Sequence, residues 1–260
     1  MKNMSTAQRR EKIRELIAAQ GNVSVTELAG IFGISEVTVR GDLNDMERTG
    51  LLRRIRGGAV STAKMYYEMS LNDRMEVNRL QKISVAKACA SLIKDGDIIM
   101  IDSGTTTCYL AKELSERGNL TVLTNALQVA DEFRYNRSVN VILLGGNLDA
   151  RYRFTYGNDV VTQLQKYRAD KAIIATDGLS AEHGLTTYHH QELDVTRMMI
   201  ERSNEVLVVA DHSKIGKEGF SYITGISDLD ILVTDTEAAN NNELKALSSL
   251  GIRVVEAQGV

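Results

Sequence analysis

The sequence is 260 residues long, with 43% hydrophobic and 25% charged residues and a formal net charge of −3. This composition is typical of a globular protein and excludes an intrinsically disordered chain. No uncharged apolar run approaches the roughly 18 residues that a membrane span needs, and the amino-terminal residues lack the apolar centre of a signal peptide. Two cysteines give no disulfide framework, so we expect a cytoplasmic protein with no membrane partner.

The charge is distributed unevenly along the chain. Residues 1–60 contain ten Lys or Arg and seven Asp or Glu, a net charge of +3, whereas the remaining residues contain 21 and 27, a net charge of −6. A small basic region joined to an acidic body is compatible with nucleic-acid binding at one end. A difference this small is also common on solvated surfaces, so the pattern needs support from motifs.

The first 50 residues predict three short helices. The first ends at Gly21, after apolar residues that recur at helical spacing. The second begins at Ser24, where the Ser-x-x-Glu spacing with Glu27 is typical of a capping box, and it ends at Gly33. Ser35 can cap the third helix, which again has apolar residues at helical spacing. Two helices joined by a tight glycine-containing turn predict a helix-turn-helix.

A short basic hairpin follows the third helix, which we expect to end at Gly50. The segment LLRRIRGGAV has two apolar-basic runs around the Gly57-Gly58 turn. We therefore assign residues 1–60 to an α+β winged helix-turn-helix domain that binds DNA. A three-helix bundle with a hairpin and no DNA contact is the plainer alternative, but the clustered arginines lie where a wing would meet phosphate.

The third helix predicts which side chains face DNA. If Val39 points inward, the residues on either side of it point outward or to the flank. The tripeptide Arg40-Gly41-Asp42, an adhesion signal in some extracellular proteins, then lies inside a helix, and Asp42 lies near the buried side, where an arginine can pair with it. With the arginines of the wing, the candidate DNA-binding residues are Ser35, Val37, Thr38, Arg40, Asn44, Arg53, Arg54 and Arg56.

Beyond residue 60 the pattern changes twice. Residues 61–78 are polar and weakly periodic, and we predict a linker there. From residue 79 a helical period returns, and apolar strands then alternate with helical stretches. This alternation predicts an α/β domain with a mostly parallel sheet over residues 79–260, buried on both faces. The predicted strands are DIIMID, LTVLTN, VNVILLGG, DKAIIATDG, EVLVVADHS, DILVTD and RVVEA.

Polar residues and glycines follow five of these strands, at the ends where such sheets bind ligands. The first strand ends in DSGTTT and runs into a helix whose free N–H groups and dipole favour an anion. A strand-to-helix turn with an N-cap explains the same letters equally well, but the set as a whole favours one convergent pocket. The candidate residues are Asp102, Ser103, Gly104, Thr105, Thr106, Thr107, Thr124, Asn125, Gly145, Gly146, Asp177, Gly178 and Lys214.

The string VSVTELAGIFGISEVTVRGDLNDMERTGLLRRIRGGA resembles the DNA-binding domain of the DeoR family of bacterial sugar-metabolism regulators. The motifs DSGTTT, TN, LGG, DG…GLTT and ADHSK follow in the order of that family's effector domain, so the resemblance covers essentially the whole chain. It implies a domain similar to ribose-5-phosphate isomerase and related sugar-phosphate folds. It also implies that the Ser/Thr loop holds a sugar phosphate and that Asp177, Glu192 and Lys214 line the sugar side.

The sequence departs from the family pattern at two places. Gly41 stands in the third helix where a basic residue is usual, which removes a cationic contact and costs about 0.5–1 kcal/mol of helix stability relative to alanine. We expect DNA affinity to depend more on the wing as a result. Asp149 stands near a position where an arginine is common, with Arg151 and Arg153 slightly later, and this bears on which sugar phosphate fits.

The sequence predicts neither a metal site nor a cofactor. Zinc ligands recur at characteristic spacings of histidine, cysteine or carboxylate residues. No such spacing is present around His183, His189, His190 and His212.

We expect a DNA-binding transcription regulator, a repressor of a carbohydrate uptake or catabolism operon that a phosphorylated sugar or sugar alcohol releases. Operator half-sites are commonly paired, so a homodimer or homotetramer is expected. The alternative is an aldose-ketose phosphate isomerase with a DNA-binding appendage, since Asp177, Glu192 and Lys214 supply acid, base and charge. A structural DNA-binding protein without an effector leaves the strand-end pocket unexplained.

Overall fold

In a computed structural model of the protein, the described residues are 4–48, 52–61, 69–238 and 241–258. The chain divides into two compact units, Met1–Met69 and Ser70–Val260. Across the described ranges, no helix is long and apolar enough to cross a membrane.

The first unit is the predicted winged helix-turn-helix. Its helices and strands are α1 (Thr6–Gln20), β1 (Asn22–Ser24), α2 (Val25–Phe32), α3 (Glu36–Arg48), β2 (Leu52–Ile55) and β3 (Gly58–Ser61). The strands form an antiparallel sheet in the order β1-β3-β2, with β2 and β3 as the wing. Sequence analysis missed β1, because three residues are too few for a periodic pattern. Gly50, where we expected α3 to end, lies outside the described residues.

Hydrogen bonds and glycines set the ends of these helices as predicted. Ser24 and Ser35 each accept, through Oγ, a hydrogen bond from the backbone N–H three residues later, at 3.0 and 3.2 Å. Helices α1 and α2 end at Gly21 and Gly33, whose φ angles of 77° and 64° are left-handed and therefore favour glycine. These boundaries direct the apolar stripes into one core, whose fully buried members include Ile13, Leu28, Val39 and Leu43.

The second unit is made of alternating helices and strands. Its helices are α4 (Leu71–Glu76), α5 (Arg79–Ala90), α6 (Thr105–Leu114), α7 (Leu127–Glu132), α8 (Asn158–Leu164), α9 (Leu193–Glu201) and α10 (Asn242–Ser249). Its strands are β4 (Ile98–Ile101), β5 (Leu120–Thr124), β6 (Val139–Leu143), β7 (Asn147–Asp149), β8 (Phe154–Tyr156), β9 (Ala169–Ala175), β10 (Gly178–Ser180), β11 (Gly184–Thr187), β12 (Ser203–Val209), β13 (Ser221–Thr224), β14 (Ile231–Asp235) and β15 (Arg253–Ala257).

Seven of these strands form one sheet in the order β15-β14-β12-β9-β4-β5-β6, and all neighbouring strands are parallel. They are the seven predicted strands, so the parallel α/β domain is confirmed. Successive side chains alternate between two apolar cores, with Ile99 and Ile101 in one and Met100 in the other. Because helices cover both faces, each strand is a nearly continuous apolar run, and such runs are conspicuous in a sequence.

Two small antiparallel sheets were not predicted. Strands β7 and β8 form a hairpin, and β10, β11 and β13 form a second sheet in that order. Each begins within a few residues of the end of a large-sheet strand. Their strands are only three or four residues long, too short for a clear alternation of polar and apolar residues.

The prediction of a linker over residues 61–78 is wrong at its carboxyl end, where α4 lies. Ser70 caps this helix, since its Oγ accepts a hydrogen bond from the backbone N–H three residues later at 3.2 Å. Leu71 and Arg74 are buried, but two buried positions one turn apart do not rise above the polar background of the segment. Residues 62–68 of the predicted linker lie outside the described residues.

Strands β1 and β3 approach so closely that a Cβ at Gly58 would lie 2.1 Å from the carbonyl oxygen of Val23. We predict that Gly58→Ala separates β3 from β1 and lowers the free energy of unfolding by about 1–3 kcal/mol, as overpacking usually does. Gly30→Ala is the matched control, because its Cβ meets nothing within 4 Å and alanine should stabilise α2 by about 0.5–1 kcal/mol. Urea unfolding followed by circular dichroism measures both; equal stability of the two variants would contradict the prediction.

Candidate functional sites

The outer side of α3 presents the residues that were predicted to face DNA. Val39 is fully buried whereas Val37 is 74% exposed, so the helix has the predicted orientation. Arg40 Nη2 lies 2.6 Å from Glu36 Oε2, one turn back. This ion pair is exposed, and exposed pairs contribute little, so a DNA phosphate can replace it at small cost. The other exposed candidates of this segment are Ser35, Thr38 and Asn44.

Arg54 holds the wing against α3. Its backbone N–H donates to Glu47 Oε1 at 2.8 Å, and its Nη1 donates to Asn44 Oδ1 at 2.5 Å. Arg53 and Arg56 are exposed on the wing. Arg54 and Asn44, both predicted to contact DNA, are therefore joined to each other and position the wing, whereas Arg53 and Arg56 face solvent.

Asp42 ties α3 to α1. Its side chain is buried, and its two carboxylate oxygens accept hydrogen bonds from Arg9 Nε at 2.6 Å and Arg10 Nε at 3.0 Å. The expected pairing of Asp42 with an arginine is confirmed. The Arg-Gly-Asp tripeptide is therefore part of a helix with its aspartate buried, which no surface receptor could read.

A second candidate site lies at the carboxyl ends of four neighbouring strands of the large sheet. Parallel strands bring these ends to one edge. The polar residues that follow β4, β5, β9 and β12 are all buried: Asp102, Asn125, Asp177 and Asp211. Buried polar groups need partners. We call these four residues and their hydrogen-bond partners the strand-end site.

Glu192 joins the ends of β4 and β5. It lies in the single-turn helix His190–Glu192 that precedes α9, and its carboxyl group accepts hydrogen bonds from Ser103 Oγ and Asn125 Nδ2, each at 2.8 Å. Asn125 also donates to the carbonyl oxygen of Thr155 at 3.0 Å. The buried Oδ1 of Asn125 has no hydrogen-bond partner among the described residues. An unsatisfied acceptor at this place fits a ligand that offers a hydroxyl donor.

Asp102 and Glu192 share a low-dielectric environment. Burial raises the pKa of Asp102 to about 7, and the charge of Asp177 acts in the same direction. Burial and the neighbouring Asp102 raise the pKa of Glu192 well above its ordinary value. The two groups therefore carry less than two full negative charges near neutral pH. Such carboxyl groups can donate hydrogen bonds to the hydroxyls of a polyol and can also accept hydrogen bonds from them.

Asp177 is ionised because cations outweigh its burial. Burial alone would raise its pKa, but the charges of Arg74 and Lys214 lower it to about 2. Arg74 Nη2 lies 3.0 Å from Asp177 Oδ1. The other oxygen, Oδ2, accepts hydrogen bonds from Thr187 Oγ1 at 3.2 Å and from the backbone N–H of Tyr188 at 2.9 Å.

Sequence analysis missed Arg74, since a lone arginine in a polar segment gives no signal. It found no metal-ligand spacing around His189 and did not include this residue among the candidates. Arg74 Nη1 lies 2.8 Å from His189 Nε2. Because a guanidinium only donates, His189 Nε2 must be the acceptor, which fixes the neutral tautomer protonated at Nδ1. Burial lowers the pKa of His189 to about 4, in agreement with a neutral ring, whose neighbour Tyr152 lies with its ring centroid 4.4 Å away.

The loop between β4 and α6 depends on Gly104. Its φ is 150°, and a Cβ there would lie 2.5 Å from the Cβ of Ala175 on β9. Thr107 Oγ1 donates to the carbonyl oxygen of Gly104 at 2.9 Å and so stabilises the bend. The hydroxyls of Thr105 and Thr106 have no hydrogen-bond partner within the described ranges. Together with the first N–H groups of α6, they offer donors to an anion.

Four further predicted site residues make local contacts. Thr124 Oγ1 accepts a hydrogen bond from the backbone N–H two residues later at 3.0 Å. Both backbone groups of Gly145 are bonded to the Gln163 side chain. Gly146 and Gly178 permit close approach, since a Cβ would lie 2.6 Å from Val160 in the first case and 2.5 Å from the carbonyl oxygen of Lys217 in the second.

Three potential metal ligands, His212, Asp235 and Glu237, lie together at the ends of β12 and β14. Hydrogen bonds account for this arrangement. Asp235 Oδ2 accepts from the His212 backbone N–H at 2.7 Å, and Asp235 Oδ1 lies 3.0 Å from His212 Nδ1. Sequence spacing could not have revealed this group, because its members come from different strands.

Two protein-family models match the chain. Residues 9–65 match the DeoR-like helix-turn-helix domain, and residues 77–236 match the DeoR C terminal sensor domain. The two matches correspond to the two units of the structure.

Similar curated proteins are named as transcriptional repressors. The chain is 33% identical over 223 residues to the HTH-type transcriptional repressor GlcR of Bacillus subtilis, covering 86% of each chain. It is 34% identical over 233 residues to the transcriptional repressor AccR of Agrobacterium fabrum, covering 89% of this chain and 90% of the relative.

Among solved structures, the chain is similar to a ribose 5-phosphate isomerase from Methanocaldococcus jannaschii. The match covers 51% of this chain and 52% of the isomerase chain at 18% identity. Its TM-score of 0.38 is too low to carry an argument.

The raised pKa of Asp102 has a consequence for stability. The folded chain holds this proton up to about pH 7, whereas the unfolded chain releases it near the ordinary value of about 4. Unfolding between these values releases a proton, so this group's contribution to stability falls as pH rises through the window. We predict that Asp102→Asn loses less stability than the wild type between about pH 5 and pH 7.

Urea unfolding at several pH values measures this difference in slope. The same substitution at Asp194, whose side chain is 84% exposed, is the matched control and should leave the slope unchanged. Parallel slopes for Asp102→Asn and the wild type would count against the raised pKa.

Proposed function

The chain belongs to the DeoR family of transcription regulators, and from that premise we propose that it represses a carbohydrate operon until a phosphorylated sugar or sugar alcohol binds its second unit. It is a DNA-binding regulator and not an enzyme. The observation that carries the proposal is the strand-end site, where anion donors at the start of α6 adjoin acceptors suited to hydroxyl groups. We place the protein in the cytoplasm, where its operator and its effector are.

The operator would contact α3 and the wing. Val37 and Thr38 offer a methyl surface and a hydroxyl to base edges, and Arg40 can reach guanine or phosphate once it leaves Glu36. The exposed Arg53 and Arg56 suit the phosphate backbone. We propose a homodimer or homotetramer, because operators commonly contain paired half-sites and each half-site would bind one such unit.

The effector would span the strand-end site. Its phosphate suits the loop from Ser103 to Thr106, because free helix N–H groups and a dipole attract a dianion. Its hydroxyls suit Asp177, Glu192 and the unpaired Oδ1 of Asn125, and Lys214 adds a positive charge near Asp177. Ser103 and Asn125 both bond Glu192 in the structure, so a ligand would exchange hydrogen bonds with that carboxyl group.

Induction follows from thermodynamic linkage. A ligand that binds the DNA-incompetent arrangement more tightly must weaken operator binding by the same factor. Couplings of this kind are typically about 1–3 kcal/mol, or about 5–150-fold in affinity.

The test uses full-length protein and an operator duplex that the protein itself selects from random DNA. Fluorescence anisotropy then measures operator affinity with glucose 6-phosphate, fructose 6-phosphate, ribose 5-phosphate and glycerol 3-phosphate, which we call the probe panel. Inorganic phosphate and the unphosphorylated compounds are the controls. At least one member of the panel should weaken operator binding about tenfold, the middle of the usual coupling range. An operator affinity that no phosphorylated compound changes would refute sensing of these compounds.

The start of α6 gives a second prediction. The double variant Thr105→Ala/Thr106→Ala removes two hydroxyl donors and should weaken the active probe about tenfold or more, at about 1–3 kcal/mol per charged hydrogen bond. Operator affinity without the probe should stay within about twofold. Thr162→Ala, an exposed threonine of α8, is the matched control. A double variant that still responds at wild-type probe concentrations would exclude this loop as the phosphate site.

Gly41 gives a third prediction. It is exposed on α3, and a Cβ there meets nothing within 4 Å, so a larger side chain fits. Gly41→Arg should strengthen operator binding and steepen its dependence on log salt by about one unit, as one added phosphate contact does. Gly41→Ala separates the causes, because it gains about 0.5–1 kcal/mol of helix stability without charge. Identical salt slopes for the two variants would show that position 41 does not face phosphate.

A further inference from the structure

Helix α4 connects the strand-end site to the chain that enters the first unit. It begins at Leu71, and the first unit ends at Met69. The guanidinium of Arg74, in the middle of α4, reaches the end of β9, where Nη2 lies 3.0 Å from Asp177 Oδ1 and Nη1 lies 2.8 Å from His189 Nε2. Arg74 is 7% exposed. These contacts are therefore made out of water, where a lost partner is costly.

A second connection holds the carboxyl end of α4. Lys82 is 1% exposed, and its Nζ donates to the carbonyl oxygens of Arg74, at 3.1 Å, and of Val77. The same Nζ lies 3.9 Å from Asp211 Oδ2 at the end of β12, and Asn78 Nδ2 donates to Asp211 Oδ1 at 3.0 Å. The carboxyl end of α4 is thus held at the end of β12, while Arg74 holds the middle of the helix at the end of β9.

A six-residue helix depends on such contacts for its position, because isolated helices of this length are not stable in water. The apolar contribution is modest. Leu71 is buried and Met75 packs partly against the core, and Tyr109 Oη donates to the Met75 carbonyl oxygen at 3.3 Å. The polar contacts to Asp177 and Asp211 therefore have a large share in holding α4.

We propose that α4 is a latch whose closed position, held by the contact of Arg74 with Asp177 and His189, is the state that binds operator. The inference rests on the proposed function and adds the element that couples the two units. An effector hydroxyl that donates to Asp177 competes with Arg74 for the same carboxylate, and an effector phosphate attracts the guanidinium. Either exchange releases α4, and the chain leads from α4 through Ser70 directly into the DNA-binding unit.

The experiment compares Arg74→Gln with Arg79→Gln in the full-length protein. Arg79 is the matched control, since it lies on the neighbouring helix α5 and is half exposed, with Nε 3.8 Å from Glu76 Oε1. Operator affinity and probe affinity are measured with the active member of the probe panel. Arg74→Gln should bind operator, without any probe, as weakly as the wild type does at saturating probe. Adding the probe should then change its operator affinity by less than about twofold, while Arg79→Gln responds as the wild type does.

Two further measurements and one further variant separate a latch from a folding defect and from a direct ligand contact. Hydrogen exchange should be faster over residues 71–78 in Arg74→Gln and in the probe-bound wild type, with the β9 and β12 peptides unchanged. Arg74→Lys keeps the charge but not the fork that reaches two partners, and should show an intermediate response. Calorimetric titration should give a probe dissociation constant for Arg74→Gln within about tenfold of the wild type.

Three results would overturn the latch. The first is a wild-type ratio of operator affinities, with and without probe, in Arg74→Gln. The second is loss of probe binding in Arg74→Gln with unchanged operator affinity, which would make Arg74 a ligand contact. The third is a wild-type protein that responds to no member of the panel. In that case the proposed function fails first and the latch with it, whereas the first two results remove the latch alone.

Discussion

The second unit must keep three carboxyl groups, those of Asp102, Asp177 and Glu192, buried within reach of one another's charge. Removing even one ion from water costs several kcal/mol unless it is paired. The structure meets this constraint in two ways, because Arg74 and Lys214 keep Asp177 ionised while raised pKa values relieve the other two groups of part of their charge. The outcome is a buried surface rich in acceptors beside the amino end of α6, a combination that suits a ligand with hydroxyls at one end and a phosphate at the other.

The arginines of the first unit fall into two groups: some make contacts within the unit, and others are exposed and are proposed to contact DNA. Arg9 and Arg10 are bonded to the buried Asp42, and Arg54 joins the wing to α3. These contacts order the arginine side chains, and they hold α1 and the wing against α3. The exposed arginines that we propose to contact DNA are Arg40, Arg53 and Arg56.

The free energy of induction can be compared with the free energy of a single buried contact in the second unit. An inducer shifts operator binding only by the difference in its affinity for two arrangements, commonly about 1–3 kcal/mol. Breaking one buried ion pair can exceed that amount, so a single contact such as that of Arg74 with Asp177 is large enough to decide between states. Its position on a short helix matters equally, because α4 has little apolar surface of its own to hold it once the contact is exchanged.

Sequence alone determined the features that depend on local or periodic patterns. These are the three helices with their serine and glycine ends, the seven apolar strands, and the hydroxyl-rich turn from Ser103 to Thr107. It could not separate Asn125, which donates a hydrogen bond to Glu192, from Gly146 and Gly178, where the backbone is approached closely, because both kinds of residue follow strands. Sequence patterns did not identify Arg74, Lys82 or His189 as residues of this site. Arg74 lies 103 and 115 positions from its partners Asp177 and His189, and Lys82 lies near Asp211 at the end of β12. Only the formation of the parallel sheet, which gathers strand ends from the whole domain at one edge, brings such residues together.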